Sequence, residues 1–123
     1  MKRYELILVG TRNIFLNRYS VEIATGYTIK TKNETNALKC FENERFRHLY
    51  DSIGLIYYVD QDFLDFGDST KHQKARIIRY CIDNEEAAKE DFLESLKKAC
   101  EREGETYCKE FMFYDTKVME CID

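Results

Sequence analysis

Residues 74–82, KARIIRYCI, 83–103, DNEEAAKEDFLESLKKACERE, and 106–114, TYCKEFMFY, read strand, helix, strand, and the fold turns on that stretch. In the middle piece Asp83 is placed to cap the helix, with Glu86 three residues on as the reciprocal partner of a capping box. Ala88, Phe92, Leu96, Ala99 and Cys100 recur on one face at helical spacing. Gly104 stands where a left-handed residue ends a helix without a Cβ clash. A helix of this length can carry the chain back across a sheet, so the two flanking strands are expected to lie parallel with a right-handed crossover.

Outward from there, residues 55–59 (LIYYV) form an apolar run of strand length. Upstream, Leu38, Phe41, Phe46, Leu49, Tyr50 and Ile53 make a helical stripe over 37–52, with KNETN before it as a cap and Gly54 as its end. Residues 3–9 (RYELILV) read as a strand and Gly10 to Asn13 as a turn. Residues 19–25 and 27–31 alternate on either side of Gly26 and read as a hairpin. The tail from Asp115 still alternates, either extending the last strand or pairing as an edge.

The fold class is therefore α+β. Residues 27–114 follow the element order of a split βαβ, ferredoxin-like sandwich, with the first 25 residues added as an N-terminal hairpin extension at an edge. The sheet, antiparallel or mixed, is expected to have about six strands, with two helices on one face. The 123 residues, 44% hydrophobic, suit a single domain spanning 1–123.

Composition narrows the function classes. No apolar run is long enough to span a bilayer as a helix, so no membrane role is expected. The apolar stretch Leu6 to Val9 is too short for a secretory signal, and the expected compartment is the cytoplasm. The five cysteines are odd in number and none lie in CxxC spacing, which fits buried thiols in a reducing cell. Neither a metal nor a cofactor is implied: Asp60-x-Asp62 starts like a calcium loop but has Asp65 in place of the required glycine and Lys71 at its end. No glycine-rich phosphate loop and no GxSxG motif occurs.

The formal net charge is −4, yet the charge is segregated. Basic residues concentrate in the first 33 positions and again from Lys71 to Ile82, where no acid occurs. If those strands adjoin, Arg12, Arg18, Lys71, Lys74, Arg76 and Arg79 form a strip that attracts phosphates, and Tyr80 can stack on a base. An anionic small molecule of nucleotide type fits such a strip; long nucleic acid is disfavoured by the acidic overall field. The opposite surface is Asp60, Asp62, Asp65 and Asp68, an acidic loop suited to a basic protein partner.

These features point to a small non-enzymatic binding protein that acts by sequestration or occlusion, an inhibitor or accessory protein of the kind phages and mobile elements carry. The enzymatic alternative is a metal-independent ribonuclease using His48 and His72, the only histidines. Exposed tyrosines and an edge strand in the tail also suit pairing between copies of the chain.

Overall fold

The computed structural model describes residues 1–42, 56–61, 63–65 and 74–122. Its strands are β1 (Lys2–Ile14), β2 (Asn17–Thr31), β3 (Ile56–Tyr58), β4 (Phe63–Asp65), β5 (Lys74–Ile82), β6 (Glu85–Ala87) and β7 (Glu110–Glu120). Its helices are α1 (Glu34–Glu42) and α2 (Lys89–Arg102). The strand order is β3-β7-β1-β2-β5-β4, with β6 paired to β5, and each pairing is antiparallel.

The α+β class, the antiparallel sheet and the two helices are as the sequence led us to expect. The ferredoxin-like order is not. In that arrangement the N-terminal hairpin would sit at an edge, whereas β1 and β2 form the centre of the sheet, between β7 and β5. Strands β5 and β7 therefore do not lie side by side, and no parallel pairing joins them. Nor is the sheet one of about six comparable strands: among the described residues four long strands, β1, β2, β5 and β7, carry most of it. The reason for the central hairpin is burial. From Tyr4 to Leu8 every residue of β1 is buried, so this segment needs cover on both sides and cannot serve as an edge.

Gly10 is not a turn residue. It lies inside β1, opposite Val21 on β2 and Phe113 on β7. A Cβ built there would stand 2.9 Å from two carbons of the Phe113 ring, so glycine is what lets that ring lie against the strand. The turn comes later, at Phe15 and Leu16, between the paired residues Ile14 and Asn17. Gly26 likewise breaks no hairpin. β2 runs through it with an irregularity facing Glu5 and Ile7, where Gly26 takes φ 81°. The buried Glu5 accepts the Gly26 N–H at 2.9 Å, and Thr25 Oγ1 donates to the Leu6 carbonyl at 2.8 Å.

At the start of the deciding stretch the capping box fails. Asp83 and Asn84 adopt φ 51° and 68° and form a two-residue turn between β5 and β6. Two left-handed central residues are what a type I′ hairpin turn requires, and Asp and Asn tolerate that region. Asp83 Oδ1 accepts the Arg18 N–H at 2.9 Å instead of capping a helix. α2 begins at Lys89 behind an extended Ala88. Its end follows the sequence closely. Gly104, at φ 72°, donates to Glu101 O and Glu105 donates to Cys100 O, the paired bonds of a Schellman motif. For α1, Asn33 Oδ1 accepts the Asn36 N–H, so the cap-like KNETN segment caps; residues 43–54 of the expected helix lie outside the described residues.

The core lies under α2. Phe92, Leu96, Ala99 and Cys100 pack on Leu8, Tyr19, Val21, Ile23, Tyr80, Phe111 and Phe113. Phe92 is its hub, edge-on to Tyr19 at 5.5 Å and tilted against Tyr80 at 4.9 Å and Phe111 at 6.0 Å. This cluster contains no residue of α1; Ala37 and Phe41 are buried where α1 meets β7, β2 and β1. None of the five cysteines forms a disulfide; Cys81 and Cys100 are buried and Cys108 half-buried.

Replacing Gly10 by alanine should destabilise the fold by about 1–3 kcal/mol, the usual cost of forcing an extra carbon into a packed core. Denaturant unfolding measures this. Phe113→Leu, which draws the ring atoms back, should recover part of the loss in the double variant; simple additivity would show that Phe113 is not what Gly10 accommodates.

Candidate functional site

The residues expected to hold an anion are dispersed among structural duties. Arg12 turns onto the chain: its Nη1 donates to Cys108 O at 2.7 Å and to Glu110 O at 3.4 Å, and its guanidinium lies 5.3 Å from the Phe111 ring centre. The buried Tyr80 donates its hydroxyl to Val59 O at 2.7 Å, so it has no free face for a base. Arg79 lies 3.6 Å from Glu22 and 3.9 Å from Glu86. Arg18 and Arg76 are exposed, but in register with β1 and β2 they stand six β2 positions apart, with Arg18 opposite Asn13 and Arg76 opposite Ala24. At roughly 3.4 Å per residue that is about 20 Å, too far to grip one phosphate. Lys71 lies outside the described residues, and Lys74 is placed on β5 opposite Asp65 of β4. So the basic strands adjoin, as the strip required, while Arg12 and Arg79 are already engaged and Arg18 and Arg76 stand apart.

Of the acidic set, Asp62 and Asp68 lie outside the described residues. Asp60 is held by Lys109, whose Nζ stands 2.9 Å from Oδ2. Both histidines of the ribonuclease alternative, His48 and His72, also lie outside the described residues. Among the described residues no group of three or more His, Cys, Asp or Glu side chains could hold a metal ion, and no helix is long and apolar enough to cross a membrane.

What the fold does assemble is a cleft of about 620 Å³ between the end of β3 and the segment joining α2 to β7. Tyr58, Asp60, Gln61, Tyr107, Lys109 and Glu110 are among its lining residues. Its walls are fixed from the core side. Val59 donates its N–H to Lys109 O at 2.9 Å, Tyr80 holds the Val59 carbonyl, and Arg12 holds the carbonyls of Cys108 and Glu110. Two residues that the sequence assigned to ligand thus position this cleft instead.

Three ionisable groups in the cleft are displaced from their ordinary values, a pattern that marks sites more often than plain surface. The Glu110 carboxylate accepts a hydrogen bond from the Tyr58 hydroxyl and opposes a phenolate there, which raises the Tyr58 pKa. Burial raises that of Tyr107, against the lowering effect of Lys109. The hydrogen bond to Asp60, with its charge, raises that of Lys109. The Lys109 ammonium also lies 5.6 Å from the Tyr107 ring centre, within cation–π range. Chemically, this is a place for a cation: aromatic faces and carboxylates close together, with the chain's own lysine on one half of it.

Tyr58, Tyr107, Lys109 and Glu110 were not singled out from the sequence. The available signal was the pairing of Tyr57-Tyr58 at the end of an apolar strand with a polar, tyrosine-bearing segment after Gly104, which brings ring hydroxyls to the ends of two strands. No family model, no curated protein and no solved structure matches the chain.

All three raised values act in the alkaline range. A raised folded-state pKa gives stability that is complete below the unfolded value, about 10 for tyrosine and 10.4 for lysine, and is lost as pH rises through the folded value. Melting temperature should accordingly fall above about pH 10, and Tyr58→Phe should make that fall shallower. A variant whose alkaline profile matches the parent would show that Tyr58 and Glu110 are not coupled.

Proposed function

We propose that this chain is a binding protein that acts by occupying a basic surface on a protein partner, with the Tyr58–Tyr107–Glu110 cleft as its seat for a partner cation. The observation that carries this reading is the position of Lys109. Its ammonium sits on Asp60 and beside the Tyr107 ring, so the cleft already makes, within the chain, the contacts that an incoming Arg or Lys side chain would make. Glu110 and the half-exposed ring of Tyr58 offer the same pairing of carboxylate and aromatic face to a partner.

The acidic character of this end supports the same direction. Glu101, Glu103 and Glu105 are exposed along the segment that leads from α2 into the cleft. Such a field speeds encounter with a basic partner and repels an acidic one. A nucleotide-like ligand on the basic strands is the weaker reading, because Arg12, Arg79 and Tyr80 are engaged within the fold. Occlusion needs no catalytic constellation, only affinity and a fixed shape; an inhibitory or accessory role follows from that.

The test is fluorescence anisotropy with a labelled arginine-rich peptide, titrated at several salt concentrations. Binding should weaken steeply with salt, and Glu110→Gln together with Tyr58→Ala should lower affinity by about tenfold, as loss of one charged pair and one ring implies. Glu85→Gln, which removes the same charge from β6, should leave it unchanged. Equal loss in both variants would reduce the effect to net charge, and a thermal shift with nucleotides in place of peptide binding would favour the basic strands instead.

A further inference from the structure

Large apolar side chains are exposed at the β1–β2 turn and again along the start of β7. At the turn, Phe15 takes φ 58°, a left-handed conformation that bulky residues avoid, and Leu16 projects into solvent. The groove beside that turn is lined largely by charged and polar residues, so an apolar side chain has no seat in it. The start of β7 is different. Glu110, Met112 and Tyr114 alternate there with the buried Phe111 and Phe113, which face the core under α2. The three therefore stand in a row on the side of the strand turned away from that core. Met112 is 45% exposed and Tyr114 64%, and the Tyr114 hydroxyl donates to Met112 Sδ at 3.2 Å, which keeps thioether and ring together.

This row runs out of the cation seat. Glu110 lines the cleft, opposite Tyr58 of β3 in the β3–β7 register, and the two side chains are hydrogen-bonded. One surface thus offers a carboxylate with a ring, then a thioether, then a second ring. Methionine and tyrosine are enriched in interfaces, whereas a solvated strand face gains nothing from them. The sign of the charge is set by Glu110 and the exposed Glu105 beside it, because Asp60 is already held by Lys109. The spacing is set by the strand: same-side residues of β7 follow one another at roughly 6.8 Å. An extended segment laid along the row has the same repeat. A residue seated at Glu110 puts the residue two positions away over Met112, while its immediate neighbours point off the surface.

We propose that the cleft and the start of β7 form one docking surface for an extended segment of the protein partner, in which a basic residue has a large apolar residue two positions away. The cation takes the Tyr58–Glu110 seat and the apolar side chain covers Met112 and Tyr114. This rests on the cation seat described above and adds what must flank the cation.

Two labelled peptides of one composition test it by fluorescence anisotropy. In Ser-Leu-Ser-Arg-Ser-Leu-Ser the leucines stand two positions from the arginine on either side, so one of them meets Met112 whichever way the peptide lies. In Ser-Ser-Leu-Arg-Leu-Ser-Ser both are adjacent to the arginine and point away. The first should bind about fivefold more tightly, the effect of half-burying one leucine. Salt should weaken both peptides and leave their ratio unchanged, because only the shared charge contact is screened. Met112→Ser with Tyr114→Ser should bring the ratio to one, and Tyr114→Phe, which keeps the ring, should preserve it. These side chains are exposed, so circular dichroism and melting temperature should match the parent. Glu110→Gln with Tyr58→Ala should weaken both peptides alike. Equal affinities in the parent overturn this proposal and leave the cation seat standing, and so does a ratio that survives the double serine variant. Failure of both peptides to bind at low salt overturns the cation seat and this proposal with it.

Discussion

The whole sheet is tied together by one buried carboxylate. Glu22, on β2, is only 8% exposed, and both of its oxygens are taken by cations from other strands. Arg79 approaches from β5 on one side, and Lys117 reaches it from β7, across β1, on the other. A charge removed from water is tolerable only if its partners remain, so this site links β2 to both β5 and β7. A slip of one residue would turn Glu22 towards the core and Arg79 away from it. The pairing also bears on Cys81, two residues from Arg79. Burial is the main reason its thiol pKa is raised, with Glu22 and Glu86 adding to the effect and Arg79 and Lys117 opposing it.

That constraint shapes what the surface can do. Cations that look available in the sequence are placed where the sheet needs them. Arg79 goes to Glu22 and Glu86, Lys2 to Glu120 and Lys117 to Glu22. Arg12 goes to the backbone carbonyls of Cys108 and Glu110. The acids are not consumed to the same degree. α2 and the segment after it present Glu90, Asp91, Glu101, Glu103 and Glu105 to solvent, while Glu94 pairs with Lys98 one turn on at 3.1 Å.

Local patterns were legible; placement was not. The apolar face of α2, its glycine stop, the cap before α1 and the strand character of β1, β3, β5 and β7 all follow from short-range chemistry. The order of strands depends on which segment needs two covered faces, and the run Leu6-Ile7-Leu8-Val9 contained that information without compelling it. Gly10 and Gly26 were misread for different reasons: Gly26 supplies a positive φ inside a strand irregularity rather than at a turn, while Gly10 supplies space rather than φ. At Gly10 the need is space for Phe113, a residue more than a hundred positions away. The cleft was illegible for a similar reason. Tyr58 and Glu110 meet only because β3 pairs with the start of β7, and nothing local announces that pairing.

Agreement between levels is the ordinary condition of a folded chain, and a disagreement is therefore informative. Asp83-Asn84 agrees at each level: its residues suit its turn, and Asp83 fastens it to the Arg18 backbone, accepting the Arg18 N–H at Oδ1 and donating its own N–H to the Arg18 carbonyl. Phe15-Leu16 disagrees with its own turn and is fastened anyway, by a carboxylate and a guanidinium from the end of α2. The helix stop at Gly104 is what aims Arg102 and Glu103 at that tip, and the same stop launches Glu105 to Glu110 towards the cleft. One short-range signal, a glycine with φ 72° and open space around it, thus stands between the residues that brace the hairpin tip and those that line the cleft.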